Sequence, residues 1–208
     1  MDGTTPPRRG ARSRNNPRGQ GERLRTDIIT TATAMLDVLA DDQALSLRAV
    51  AREVGIAATS VYLHFADRDA LVLATLERCH SDLMRAIEGA ETSAGGPAEA
   101  LRARTLLLGN WAQQHTGLYK VLYESTINQR VEMRFKQDFK DSCVSAVQRC
   151  VDAGLAPRGD ATAMALDLMA AVHGSVSMRT NRWDTPWPPF AEQLDRFLTG
   201  LVGLSAPG

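Results

Sequence analysis

Cysteine, aromatic side chains and net charge are all scarce in this chain, and each shortage narrows what it can be. Three cysteines in 208 residues (Cys79, Cys143, Cys150) are too few and too scattered for a disulfide framework or a zinc ribbon. On a shared helix Cys143 and Cys150 would stand ~10 Å apart along the axis. That exceeds the ~7 Å Cα separation a disulfide can span, so all three are expected to be reduced core residues. No stretch approaches the ~18 uninterrupted apolar residues of a membrane helix. The first 30 residues carry charge but no apolar h-region, so no secretory signal is expected. A glycine-rich phosphate loop, a G-x-S-x-G elbow and an H-E-x-x-H helix are all missing. The four histidines (64, 80, 115, 173) are dispersed, so neither a metal site nor a catalytic cluster is expected. These absences lead to the expectation of a soluble cytoplasmic protein that is not an enzyme and carries no cofactor.

Apolar residues make up 44% of the chain and charged residues 23%, enough to build a sizeable core. Lys+Arg and Asp+Glu stand at 24 each, so the informative quantity is where the charge lies. Residues 1–25 hold seven arginines (8, 9, 12, 14, 18, 23, 25) against Asp2 and Glu22, whereas acids outnumber bases from Thr26 to Arg78. Residues 1–21 lack any large apolar side chain except the initial Met, cannot offset their ordering entropy, and are expected to form a disordered basic arm.

Beyond the arm the apolar residues recur at helical spacing, and no run alternates with period two over the length of a strand. Leu24, Ile28, Ala32, Met35, Leu36 and Leu39 stripe one helix, and Leu71, Leu76, Cys79, Leu83 and Ile87 stripe another from about Asp67 to Gly89. Further helices are expected from Pro97 to about Gln114, over Leu118–Glu124, and from about Gln129 to Ala153. Two more should run from a capping Asp160 to Met178 and from Phe190 to Val202. The fold class is therefore all-α with about nine helices. The expected division is an arm at 1–21, a DNA-binding domain at 22–70 and a ligand-binding and dimerisation domain at 71–208.

The most informative segment runs from Ser46 to Phe65. Ser46 can cap a short helix whose inward face is Val50 and Val54, and Ala51 is small where a second helix crosses. Gly55 allows the left-handed backbone of a tight turn, Ile56 anchors the turn, and Val61 and Phe65 face inward from the next helix. This is the pattern of a helix-turn-helix. The outward face of its second helix carries Ala58, Thr59, Ser60, Tyr62 and His64. These groups are small or hydroxylated enough to enter a major groove ~12 Å wide. An ordinary αα-hairpin with a polar face is the competing reading. The helix offers no Arg, Asn or Gln for bidentate base readout, so phosphate contacts and DNA shape are expected to supply much of the affinity.

The stretch from about Arg25 to Thr75 resembles the DNA-binding domain of the tetracycline-repressor (TetR) family of transcriptional regulators. The resemblance rests on Val50-Ala51-x-x-Val54-Gly55-Ile56, the string Val61-Tyr62-Leu63-His64-Phe65, and Arg68 with Ala70-Leu71. It implies that Tyr62 and His64 contact phosphates and that Thr59 and Ser60 lie nearest the bases. Arg68, where the family usually has Lys, would clamp a phosphate, with Arg48 a further contact beside Ser46.

The second half resembles the subset of that family typed by a Trp-His-Gly motif, carried here by Trp111-x-x-x-His115-x-Gly117-Leu118-Tyr119 and by Ala171-Val172-His173-Gly174-Ser175. Met169 stands where the subset usually has its Trp, and Thr116 replaces a usual Pro. Trp111, His115, Tyr119 and Tyr123, facing Met164, Leu168, Met169 and His173, are expected to line an apolar pocket for a small organic effector. The apolar face Phe190, Leu194, Phe197, Leu198, Leu201 and Val202 is expected to join the preceding helix in a two-fold dimer interface. The combined expectation is a homodimeric, ligand-responsive regulator, a repressor, bound to a palindromic double-stranded DNA operator. The alternatives are a small-molecule sensor whose DNA-binding half no longer works, and an α-helical enzyme.

Overall fold

In the computed structural model, which describes residues 20–181 and 185–205, every regular element is helical and no strand occurs among the described residues. The arm arginines 8, 9, 12, 14 and 18 lie outside the described residues. Gln20 and Gly21, expected in the arm, instead open the first helix, α1 (Gln20–Leu39). Three short pieces follow the expected pattern: α2 (Leu47–Val54), α3 (Ala58–Tyr62) and the start of a long α4 (Arg68–Thr92). Ser46 Oγ accepts from the Ala49 amide at 3.1 Å, and Gly55 adopts φ 79°, ψ 31°, so the cap and the left-handed turn are both realised. Asp67 caps α4, its carboxylate accepting from the Ala70 amide at 2.8 Å.

The second half consists of α5 (Pro97–Gln114), α6 (Thr116–Glu124), α7 (Ile127–Arg130), α8 (Arg134–Asp152), α9 (Ala161–Asn181) and α10 (Phe190–Phe197). Asp160 caps α9 as expected, accepting from the Thr162 amide at 2.9 Å. Two expected helices are interrupted. The helix expected from Gln129 to Ala153 breaks at 131–133, where Val131 is extended (φ −128°, ψ 128°). Ile127 before the break and Met133 within it are both buried in the core beneath the helix-turn-helix, against which Phe135 of α8 also packs, whereas Ala146, Val147 and Cys150 further along α8 enter the core of the second half. The last helix changes after Phe197 into a single π-helical turn, Leu198–Val202, that Gly203 ends with φ 78°.

The core is divided. One cluster joins Ile28, Leu36, Val50, Val61, Phe65 and Leu71 to Leu118 and Leu122 of α6. The other joins α5, α8, α9 and α10 around Leu101, Val147, Leu168 and Leu194. Trp111 touches both, and the smaller cluster around Leu83, Ile87 and Phe139 as well. Phe190, Leu194, Leu198 and Val202, expected to face a partner subunit, are buried inside their own chain. The apolar side chains left exposed on this side are Leu166 and Met178 of α9 and Leu201.

Candidate functional site: the helix-turn-helix and the cavity behind it

The exposed surface of α3 follows from what α3 buries. Val61 is 0% and Phe65 4% exposed, which fixes the rotation of this five-residue helix and turns the opposite side outward. Thr59 and Tyr62 are exposed, Ser60 and His64 are half-buried, and Ala58 rests partly against the core. Ser46 and Arg48 are exposed at the start of α2. Leu63 was not singled out by its sequence pattern, yet it is 84% exposed beside Tyr62. The Arg25 guanidinium lies 5.2 Å over the Phe65 ring, which brings a cation of α1 to the end of this surface. Arg68 is held rather than free: its Nε donates to Asp69 at 3.3 Å and its Nη1 to the Gln43 carbonyl at 3.4 Å.

Two polar junctions tie this unit to the second half. Asp42, fully buried, accepts from Arg130 Nη2 at 2.6 Å and from the Ser125 hydroxyl. The same guanidinium reaches Asp69 through Nε at 3.0 Å, so α7 is clamped between the end of α1 and the start of α4. Hydrogen bonding to Arg130 holds the Asp69 carboxyl below the usual carboxylate range. At the other junction Asp37 of α1 caps α6, its Oδ1 accepting from the amides of Gly117 and Leu118 at 3.1 Å each. His115 Nδ1 lies 2.9 Å from Asp37 Oδ2. Gly117 is needed here, because a Cβ at this position would strike the Asp37 backbone carbonyl.

Behind α6 lies a cavity of about 310 Å³ among α5, α6, α8 and α9. Of the expected ligand residues, Tyr119, Tyr123, Leu168, Met169 and His173 line it together. Trp111, His115 and Met164 lie elsewhere: Trp111 at the junction of the clusters, His115 on Asp37, and Met164 toward Gly159. The walls missed at sequence level include Leu101, Arg104 and Leu108 of α5, Phe139, Cys143 and Val147 of α8, and the exposed Leu166 and Ala170 of α9. Their four- and three-residue spacing was visible, but nothing local says which helix a stripe will face. The Tyr119 hydroxyl and His173 Nδ1 are hydrogen-bonded at 2.7 Å, and the Tyr123 ring lies tilted at 4.7 Å from Tyr119 and 5.7 Å from His173. Burial pushes the pKa of both phenols well above the ordinary tyrosine value, so both stay protonated at neutral pH. The Cys143 thiol is likewise pushed up by burial, and no group of side chains suited to a metal ion occurs among the described residues.

A helix-turn-helix with an exposed outer face, a cavity behind α6 and α6 in contact with both define a ligand-responsive DNA-binding regulator of transcription. Residues 29–75 match the family model for bacterial regulatory proteins of the tetR family, and residues 101–202 match the tetracyclin repressor-like C-terminal domain. The chain belongs to the tetR family. Solved structures share the fold. SmeT, repressor of the multidrug efflux pump SmeDEF of Stenotrophomonas maltophilia, is 23% identical with a TM-score of 0.67, covering 88% of this chain and 94% of that one. The fatty acid degradation regulator FadR of Bacillus halodurans is 11% identical with a TM-score of 0.73, covering 91% and 97%. A Rhodococcus protein of unknown function is 25% identical with a TM-score of 0.72, covering 92% and 100%. No described helix is long and apolar enough to cross a membrane.

Proposed function

We propose that this protein is a cytoplasmic repressor, without enzymatic activity, that binds a roughly palindromic operator as a homodimer and is released by a small organic effector. The observation that carries the reading is the seating of α3: its inner side is locked by Val61 and Phe65 while Thr59, Ser60, Tyr62 and Leu63 face outward. In this reading residues 22–70 are the DNA-binding unit and 71–208 the effector and dimerisation unit. Tyr62, His64, Ser46 and Arg48 contact phosphates, Thr59 and Ser60 approach bases, and Ala58 lets the helix sit close. Arg68 would meet a phosphate with the guanidinium hydrogens that Asp69 and the Gln43 carbonyl leave unused. The likeness to the Trp-His-Gly subset belongs to the same proposal. A complex of SmeT with triclosan is among the similar structures, which supports a small organic molecule as effector.

The dimer forms through the outer face of α9 and the end of α10. Leu166, Ala170, Gly174 and Met178 recur every four residues on that face, and a Cβ at Gly174 would meet nothing within 4 Å in a single chain. Effector binding acts through α6. Tyr119 and Tyr123 line the cavity, and the amino end of the same helix is anchored on Asp37 of α1. A ligand that favours one position of α6 therefore favours one placement of the helix-turn-helix, in proportion to its difference in affinity for the two states. The test is the Ser60→Ala, Tyr62→Ala double variant. It should remain a folded dimer and lose operator binding in a gel-shift titration at fixed salt. Retained affinity would refute the assignment.

A further inference from the structure

Resting on the cavity as effector site, we propose that the effector is a compact apolar acid bound as its anion, and that lipophilic cations are rejected. The reason lies in the charge of the wall. Among the described residues lining the cavity, Arg104 carries the single full charge and none is acidic. Arg104 is 4% exposed, and a guanidinium so placed needs a counter-charge.

Its counter-charge is shared. Glu91 Oε1 accepts from Arg104 Nη1 at 2.8 Å and also from Arg149 Nη2 at 3.2 Å, so one carboxylate answers two guanidiniums. The remaining partners of Arg104 are uncharged: the Ser142 carbonyl at 3.1 Å, the Ser142 hydroxyl at 2.7 Å and Cys143 Sγ at 3.6 Å. Arg104 Nε donates to no described group. Arg149 is half exposed and screened by water, so what Arg104 presents to the cavity is the part of its own charge that a shared Glu91 leaves unanswered.

A second donor stands on the same wall. The Tyr123 hydroxyl has no hydrogen-bond partner among the described residues, and its ring lines the cavity together with Cys143. The carboxylate of Glu124, next in sequence, is exposed and accepts from Ser177 at 2.7 Å, and its charge is felt by Tyr119 from outside the lining. The other walls, Leu101, Leu108, Phe139, Val147 and Leu168, accept an apolar body. In so apolar a space a charge interaction is several times stronger than in water, so the sign of the ligand head decides binding.

The test compares three ligands of one shape on the full-length protein by isothermal titration calorimetry at neutral pH: 2-naphthoate, the neutral 2-naphthamide and naphthalen-2-ylmethylammonium. Naphthoate should bind at least about tenfold more tightly than the amide, and the ammonium ion should bind least. Arg104→Gln should erase the gap between naphthoate and amide while the amide still binds. If that variant does not fold, the order of the three ligands on the wild-type protein decides alone. An ammonium ion that binds as well as naphthoate overturns the proposal, as does a gap that survives in folded R104Q. Leu168→Trp, which fills the cavity, separates the two levels of the argument. Loss of binding with the wrong charge order sinks only the anion class. Binding unaffected by L168W, or no binding of any of the three at about millimolar concentration, sinks the cavity reading with it.

Discussion

His80 shows how much a single side chain can decide. It is buried in α4 between Phe135, 4.7 Å away, and Phe139, 6.2 Å away, and its Nε2 has no hydrogen-bond partner. Burial pushes its pKa below the ordinary histidine value, with Asp138 opposing in part. The unfolded chain therefore binds the proton more readily than the folded one. The stability associated with neutral His80 is complete above about pH 6.5 and is lost as the pH falls below it. Urea midpoints at pH 7.5 and pH 5 should differ more for the wild-type protein than for His80→Leu. Equal differences would remove His80 as the cause. At this scale much was legible from sequence: the caps at Ser46 and Asp160 and the left-handed Gly55 depend on neighbours within a few positions. Arg104 and Leu63 were not legible, because the burial of one and the exposure of the other depend on distant chain.

Among the elements, α6 is the one on which both halves depend. Its amino end has no cap of its own and borrows Asp37 from α1, and Gly117 makes the close approach possible. Gly117→Ala should push α6 off α1 and cost about 1–3 kcal/mol of stability, the usual penalty for forcing a methyl group into a packed contact. It should also weaken effector-induced release from the operator more than it weakens operator binding itself. Thermal unfolding and a gel shift with and without effector check both. An unchanged melting temperature would show that α1 and α6 do not need this contact. The break between α7 and α8 follows the same logic. Val131 is extended where Arg130 is held by Asp42 and Asp69 and where Ile127 and Met133, on the two sides of it, are both buried in the core beneath the helix-turn-helix. Helical periodicity alone reads straight through such a break.

For the whole molecule the open quantity is the assembly. Four of the six residues expected to dimerise are consumed by the chain's own core, which leaves Leu166 (45% exposed), Met178 (49%) and Leu201 (36%) as apolar surface on the α9–α10 side. A Met178→Arg, Leu201→Arg double variant should stay folded and sediment as a monomer. It should bind operator DNA more weakly, since one half-site contact replaces two. A variant that remains dimeric would move the interface away from this face.

The sequence by itself determined the helical class and the helix-turn-helix, down to its caps, its turn and its inward residues. That information is local: the decisive groups lie within twenty positions of one another and act through helix geometry and backbone stereochemistry. Only the tertiary structure decided which stripes meet. The cavity gathers residues from Leu101 to His173 on four helices, and the clamp of Arg130 on Asp42 spans 88 positions. Such contacts depend on where loops turn and helices cross, and periodicity within one helix carries no record of that.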